Sequence, residues 1–151
     1  MKKKLLIIKK FGGTSLSNIN KIKKAALIIK KEILKRNRVV VVVSAVGKTT
    51  DKLQSLINDI SLHGNTGEID TILSSGEQAS SGLMALALKK INVDAKSFLG
   101  WQIPILTDKS YGKAKILDIE SKKLKNELKK GVTPVVAGFQ GISDEFRIST
   151  I

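Results

Sequence analysis

Val39-Val40-Val41-Val42-Val43 decides how the rest of the chain is read. Consecutive β-branched residues are stiff at χ1, which disfavours a helix, and an unbroken apolar run fits a strand covered on both faces better than one at a sheet edge. The run therefore predicts a central strand. Working back from it, Arg36-Asn37-Arg38 interrupts a stretch in which Ile19, Ile22, Ala26, Ile29 and Ile33 recur every three or four residues with lysines between them. That spacing predicts an amphipathic helix to about Lys35, with Ser17 as its N-cap. Further back, Leu5-Leu6-Ile7-Ile8 is a second short apolar run, read as another strand buried on both faces. Strand, helix and strand make a βαβ unit, whose right-handed crossover sets the strands parallel and brings their carboxyl ends to one crevice.

Lys10-Phe11-Gly12-Gly13-Thr14-Ser15 lies between the first strand and the helix. Glycines let the backbone turn sharply and approach a ligand closely, and the amides of a following helix's first turn point outward unpaired, so a phosphate would fit there. Lys10 could reach the same oxygens as a mobile point charge; the competing reading is an ordinary tight turn with a strand-end lysine. The second strand runs into Ser44-Ala45-Val46-Gly47-Lys48-Thr49-Thr50-Asp51, which the parallel pairing places beside the first loop. Leu53, Leu56, Ile57 and Ile60 then recur at helical spacing, and Thr50 or Asp51 could be that helix's N-cap.

Beyond a turn at His63-Gly64-Asn65, Ile69, Ile72 and Leu73 predict a helix that reaches Ser74-Ser75-Gly76-Glu77, and an alanine- and leucine-rich helix follows from Gln78 to Lys90. Glu77 sits at a junction of small residues without an obvious lysine partner. It reads either as a solvated glutamate favoured by a helix start or as a functional carboxylate. His63 reads as surface decoration, and Phe98 and Trp101 read as core. Strands are expected at Ala95–Phe98 and Val132–Ala137, an extended piece at Gln102–Leu106, a helix at Ser121–Lys130 ended by Gly131, and a second glycine loop at Gly138-Phe139-Gln140-Gly141. The alternation argues for an α/β class protein, a three-layer α/β/α sandwich on a mainly parallel sheet.

Composition narrows the function. The 151 residues are 42% hydrophobic, enough to bury a core in a single domain. No run of about twenty apolar residues is present to cross a bilayer, and the start reads as the first strand of a cytoplasmic protein rather than as a secretory signal. The absence of cysteine excludes disulfides and thiolate catalysis, and a single histidine excludes a histidine-rich metal site. A net charge of +14 raises nucleic-acid binding, yet the charge is nearly all lysine scattered over several helix faces, and aromatics are only 4%. Neither a nucleic-acid nor a membrane partner is expected.

Taken together, Lys10-Phe11-Gly12-Gly13-Thr14-Ser15, Val43 to Asp51, Ser75-Gly76-Glu77-Gln78 and Ala137-Gly138-Phe139-Gln140-Gly141 resemble the aspartate kinase family, in that order and at similar spacing over essentially the whole chain. The resemblance implies the amino acid kinase fold and places residues 1–151 as the N-terminal lobe of a kinase domain. It also implies transfer of the ATP γ-phosphoryl group to the side-chain carboxylate of L-aspartate, the first step to lysine, methionine and threonine. By that analogy Lys10, as the catalytic cation, and the backbone of Phe11, Gly12 and Gly13 hold the ATP phosphates, with Ser44 beside them. Thr50 would hydrogen-bond the aspartate and Glu77 would pair with its α-ammonium group. Magnesium would be carried by the nucleotide, with no metal site of the protein's own. The chain departs from the family after Arg147-Ile148-Ser149-Thr150-Ile151, stopping before an arginine-glycine-glycine-serine-aspartate motif that supplies the partner of the substrate α-carboxylate. The expectation is a truncated chain inactive alone, or a half-site that complements a separately encoded remainder or docks on an intact homologous kinase.

Overall fold

The computed structural model describes residues 4–60 and 67–151, so the expected turn at His63 lies outside the described residues. The first sheet has four parallel strands in the order β1 (Leu6–Phe11), β2 (Arg38–Val43), β6 (Thr133–Ala137) and β3 (Ala95–Phe98). Helices α1 (Ile19–Leu34) and α3 (Gly67–Lys90) cover one face, where Ile29, Val41, Met84, Leu88 and Val135 form a sealed apolar core. Helix α4 (Lys122–Lys129) covers part of the other face, packing Leu124 and Leu128 near Val40 and Val136. Helix α2 (Thr49–Ile60) packs against α3. The result is the three-layer α/β/α sandwich expected from the alternation of elements.

Several local readings need correction. Strand β1 is an edge strand and not buried on both faces. Ile7, Lys9 and Phe11 are half-buried on the α1 side, while Leu6 and Ile8 on the other side are 57% and 68% exposed. An apolar run cannot by itself tell an edge from a centre when one face is left open. The N-cap of α1 is Asn18, whose Oδ1 accepts from the Lys21 amide at 3.0 Å, because Ser17 follows a short 3-10 helix at Gly13–Leu16. Helix α2 starts at Thr49, so Thr50 and Asp51 lie in its first turn and not before it.

The largest departure is α3, one continuous helix of 24 residues where the small residues suggested two. Packing overrides the weak propensity of Ser74-Ser75-Gly76, since Ser74 and Gly76 are buried. Phe98 is buried as expected, whereas Trp101 is 48% exposed on a 3-10 turn and is not core. A second sheet was not anticipated. It orders β5 (Ile116–Ile119), β4 (Ile105–Thr107), β7 (Gln140–Ile142) and β8 (Ile148–Thr150), with β4 and β7 parallel and the outer pairs antiparallel. Only Gly138 and Phe139 of the expected second glycine loop are loop, because Gln140 and Gly141 belong to β7.

A candidate active-site crevice

The carboxyl ends of β1 and β2 lie side by side, Lys10 opposite Val42 and Phe11 opposite Val43. The Ser44 amide donates to the Phe11 carbonyl at 3.0 Å and the Gly138 amide to the Val43 carbonyl at 2.9 Å. Three loops therefore leave one end of the first sheet together. The space they enclose opens into a cavity of about 810 Å³, lined among others by Lys10, Gly13, Ser44, Gly47, Thr50 and Glu77. These six residues come from three separate stretches of sequence and meet at the crevice where open parallel sheets bind ligands.

Lys10 is exposed at the end of β1, lines the cavity and makes no ion pair among the described residues. Phe11 lies outside the cavity wall and packs its ring against the apolar core, so only its backbone belongs to the loop. Gly12 has extended backbone, φ −80° and ψ 172°, and a Cβ built on it meets nothing within 4 Å. Neither the turn nor the protein's own packing calls for a glycine at that position. Gly12 does not itself line the cavity, whose wall on this loop is made by Lys10 and Gly13, but the open space over its backbone leaves room for a phosphate to approach. At Gly13 a Cβ would stand 3.6 Å from the carbonyl oxygens of Ala45 and Gly47, so the two loops touch there. Ser44 and Thr50 are half-buried on the cavity wall, Thr50 one residue inside α2.

Glu77 is the group on which the crevice turns. It is 3% exposed and sits mid-helix in α3, which rules out the helix-start reading. Its Oε1 accepts from the Ala45 amide at 2.9 Å, while Oε2 is buried with no hydrogen-bond partner among the described residues. Burial raises its pKa above the ordinary carboxyl value, and the Ala45 hydrogen bond opposes that rise. A carboxylate oxygen buried without a partner is costly, so a cation or donor arriving from the cavity would meet an unfilled demand. Among the described residues no group of three or more His, Cys, Asp or Glu side chains could hold a metal ion.

Other cavity residues were not singled out from sequence. Gly47 has φ +54°, and a Cβ there would lie 3.0 Å from the Ser17 carbonyl oxygen, so both its conformation and its packing favour glycine. Gln140 is fully buried, donating from Nε2 to the Ser74 carbonyl at 3.1 Å and accepting from the Gly100 amide at 3.3 Å. It ties β7 to the turn of α3 just before Glu77. Only tertiary contacts distinguish this glutamine from a surface one.

The profile of the amino acid kinase family matches residues 5–150. An aspartokinase of Rickettsia bellii is 44% identical over 97% of this chain, and aspartokinase 2 of Bacillus subtilis is 44% identical over 97%. The chain spans 37% and 36% of the length of these curated relatives. Among solved structures, aspartate kinase from Synechocystis superposes with a TM-score of 0.80 at 40% identity, covering 97% of this chain and 23% of that one. Aspartokinase III of E. coli, in complex with aspartate and ADP, shares the fold with a TM-score of 0.77 at 20% identity, over 98% of this chain and 43% of that one. A family match over nearly the whole length, on the expected sandwich and with relatives that are aspartokinases, means that the chain belongs to the amino acid kinase family.

Proposed function

We propose that the crevice is the phosphate- and amino-acid-binding part of an aspartate kinase site, within a chain that forms the N-terminal lobe of the kinase domain. The observation that carries this reading is the meeting, in one cavity, of Lys10 and Gly13 from the first glycine loop with a buried carboxylate, Glu77, one of whose oxygens has no hydrogen-bond partner among the described residues. Similarity to aspartokinases, and to an aspartokinase structure holding aspartate and ADP, supports aspartate as the substrate here and an adenine nucleotide as its partner in the site.

The chemistry suits the residues. In the proposed reaction the side-chain carboxylate of aspartate attacks the γ-phosphorus of ATP, a new carboxyl O–P bond forms, and the bond to the bridging oxygen breaks to release ADP. A carboxylate is ionised at neutral pH, so no general base has to remove a proton. What remains is to position the reactants and neutralise phosphate charge. Lys10 and the Phe11-Gly12-Gly13 backbone hold the phosphates, with Ser44 beside them. Thr50 hydrogen-bonds the amino acid and Glu77 pairs with its ammonium group. Magnesium enters with the nucleotide, whose phosphate oxygens and water suit it better than a lone protein carboxylate.

The chain spans little more than a third of its relatives' length, and the proposed site is a half-site. Its 151 residues bind ligands without turning them over, and activity appears when the remainder of an aspartokinase is supplied. The open side of the first sheet supports this complementation reading. There Leu6 and Ile8 on β1 and Ile116 and Ile119 on β5 line the same cavity as Lys10, leaving an apolar wall for a further segment to cover. The test is ATP- and aspartate-dependent hydroxamate formation. None is expected from the chain alone, and turnover is expected on mixing it with a separately purified remainder of a similar aspartokinase, abolished by Lys10→Ala. Turnover unaffected by that substitution would overturn the assignment of Lys10, and failure of the two parts to associate would overturn complementation.

A further inference from the structure

Helix α3 contains two interior glycines that differ sharply in their surroundings. A Cβ built on Gly76 would lie 2.9 Å from Ala45 Cβ and 3.4 Å from Thr49 Cγ2, whereas one built on Gly82 meets nothing within 4 Å. Non-bonded carbons settle at about 3.5–4.0 Å, so a side chain at position 76 would force α3 and the β2–α2 loop apart. The loop has little freedom to give way. Ala45 is 3% exposed, the preceding Ser44 amide is bound to Phe11, and the Thr49 hydroxyl donates to the Val46 carbonyl at 2.6 Å. The gap that would open is the one bridged by the bond from the Ala45 amide to Glu77 Oε1, in the next residue of the helix.

We propose that Gly76 is a positioning residue for the proposed ligand-binding carboxylate. Its missing side chain seats α3 directly on Ala45, which anchors Glu77 Oε1 on the Ala45 amide and fixes the unpaired Oε2 at the cavity wall. A glycine inside a helix is ordinarily less favourable than alanine. Position 76 retains glycine because the contact with Ala45 leaves no room for a methyl group, while no such contact exists at position 82. The role in ligand binding rests on the reading of Glu77 given above, but the seating of the helix does not.

The pair Gly76–Ala45 supplies its own test, because one methyl group can be moved from one side of the contact to the other. In chain uniformly labelled with ¹³C and ¹⁵N, the amide resonance of residue 45 is followed against pH together with the Glu77 side-chain carboxyl carbon. In the wild type and in Gly82→Ala, the amide is expected to shift in step with the Glu77 titration. In Gly76→Ala that coupled shift is lost, and in the double variant Ala45→Gly/Gly76→Ala it returns. A Gly76→Ala chain that does not fold, alongside a folded double variant with the coupled shift, supports the proposal equally. Retention of the shift in Gly76→Ala, or its absence from the double variant, overturns it. L-Aspartate titrated into the same four proteins separates the two readings. Its dissociation constant should rise about tenfold in Gly76→Ala and recover in the double variant. An aspartate affinity indifferent to loss of the coupled shift would overturn the ammonium role of Glu77 and leave the seating of α3 standing.

Discussion

The two halves of helix α3 are buried against very different surroundings. Toward its C-terminal end, Met84, Ala85 and Leu88 join Ile29, Val41 and Val135 in a sealed apolar core. Toward its N-terminal end the buried residues include Asp70, Ser74 and Glu77, and contact with the second sheet is made through hydrogen bonds. Asp70 accepts from the Thr150 amide at 2.7 Å, the Thr150 hydroxyl at 2.8 Å and the Gly112 amide at 3.0 Å, and Gln140 donates to the Ser74 carbonyl. Apolar packing stabilises without choosing a direction, whereas hydrogen bonds between buried groups fix distance and orientation. One half of the helix therefore holds the domain together and the other holds the crevice in register. Glu77, just beyond the polar seam, carries a carboxylate oxygen left unmatched among the described residues.

The comparison is sharpened first in the apolar half. Leu88→Ala, at a side chain with no exposure, should cost about 2–5 kcal/mol in urea or thermal unfolding, with ligand contacts unchanged in whatever fraction stays folded. Asp70→Ala should cost less, about 1–3 kcal/mol, since it orphans buried donors rather than emptying a core site. Its signature is faster amide exchange at Thr150 and Gly112. Equal losses and identical exchange patterns in the two variants would erase the distinction between the halves.

Glu77→Gln should act in the opposite direction, and by a smaller amount. The folded-state pKa of Glu77 is raised by burial, so its contribution to stability is fully present below the unfolded carboxyl value of about 4.3 and is lost as pH rises through the folded value. Glutamine does not titrate. The variant's melting temperature should therefore gain on the wild type as pH rises from acid to neutral, while its affinity for aspartate falls. A constant difference across that range would remove burial of the charge as the cause. The smallest effect belongs to Gly82→Ala, a stabilisation of at most about 1 kcal/mol in a helix interior with room for the methyl group.

The same contrast explains what was legible in the sequence. Five valines and a helical isoleucine period state their burial directly, so the βαβ unit and the crevice at its end follow from residue order alone. The apolar half of α3 was legible for the same reason. Its polar half was not, because Ser74-Ser75-Gly76 carries the composition of a break, and only contact with Ala45 and Gln140 makes helix the better state. The second sheet escaped because its strands are three or four residues long, too short for a period to declare itself. Edge and centre could not be told apart at Leu6 and Ile8, where apolar side chains line an open cavity. Among the site residues, Lys10 and the glycines were marked by position after a strand. Glu77 stood out only by lacking a partner, and its bond to Ala45 joins residues 32 apart in sequence.

The central claim is that one crevice receives a nucleotide phosphate at the glycine loop and an amino acid at Glu77. It is tested most directly by following the backbone amides of the labelled chain while Mg·ADP and L-aspartate are added in turn. Mg·ADP should shift the amides of Gly12, Gly13 and Ser44, and L-aspartate should shift those of Ala45 and Thr50, with the aspartate response lost in Glu77→Gln. Shifts scattered over the lysine-rich helix surfaces, or an aspartate response that survives in Glu77→Gln, would contradict the account.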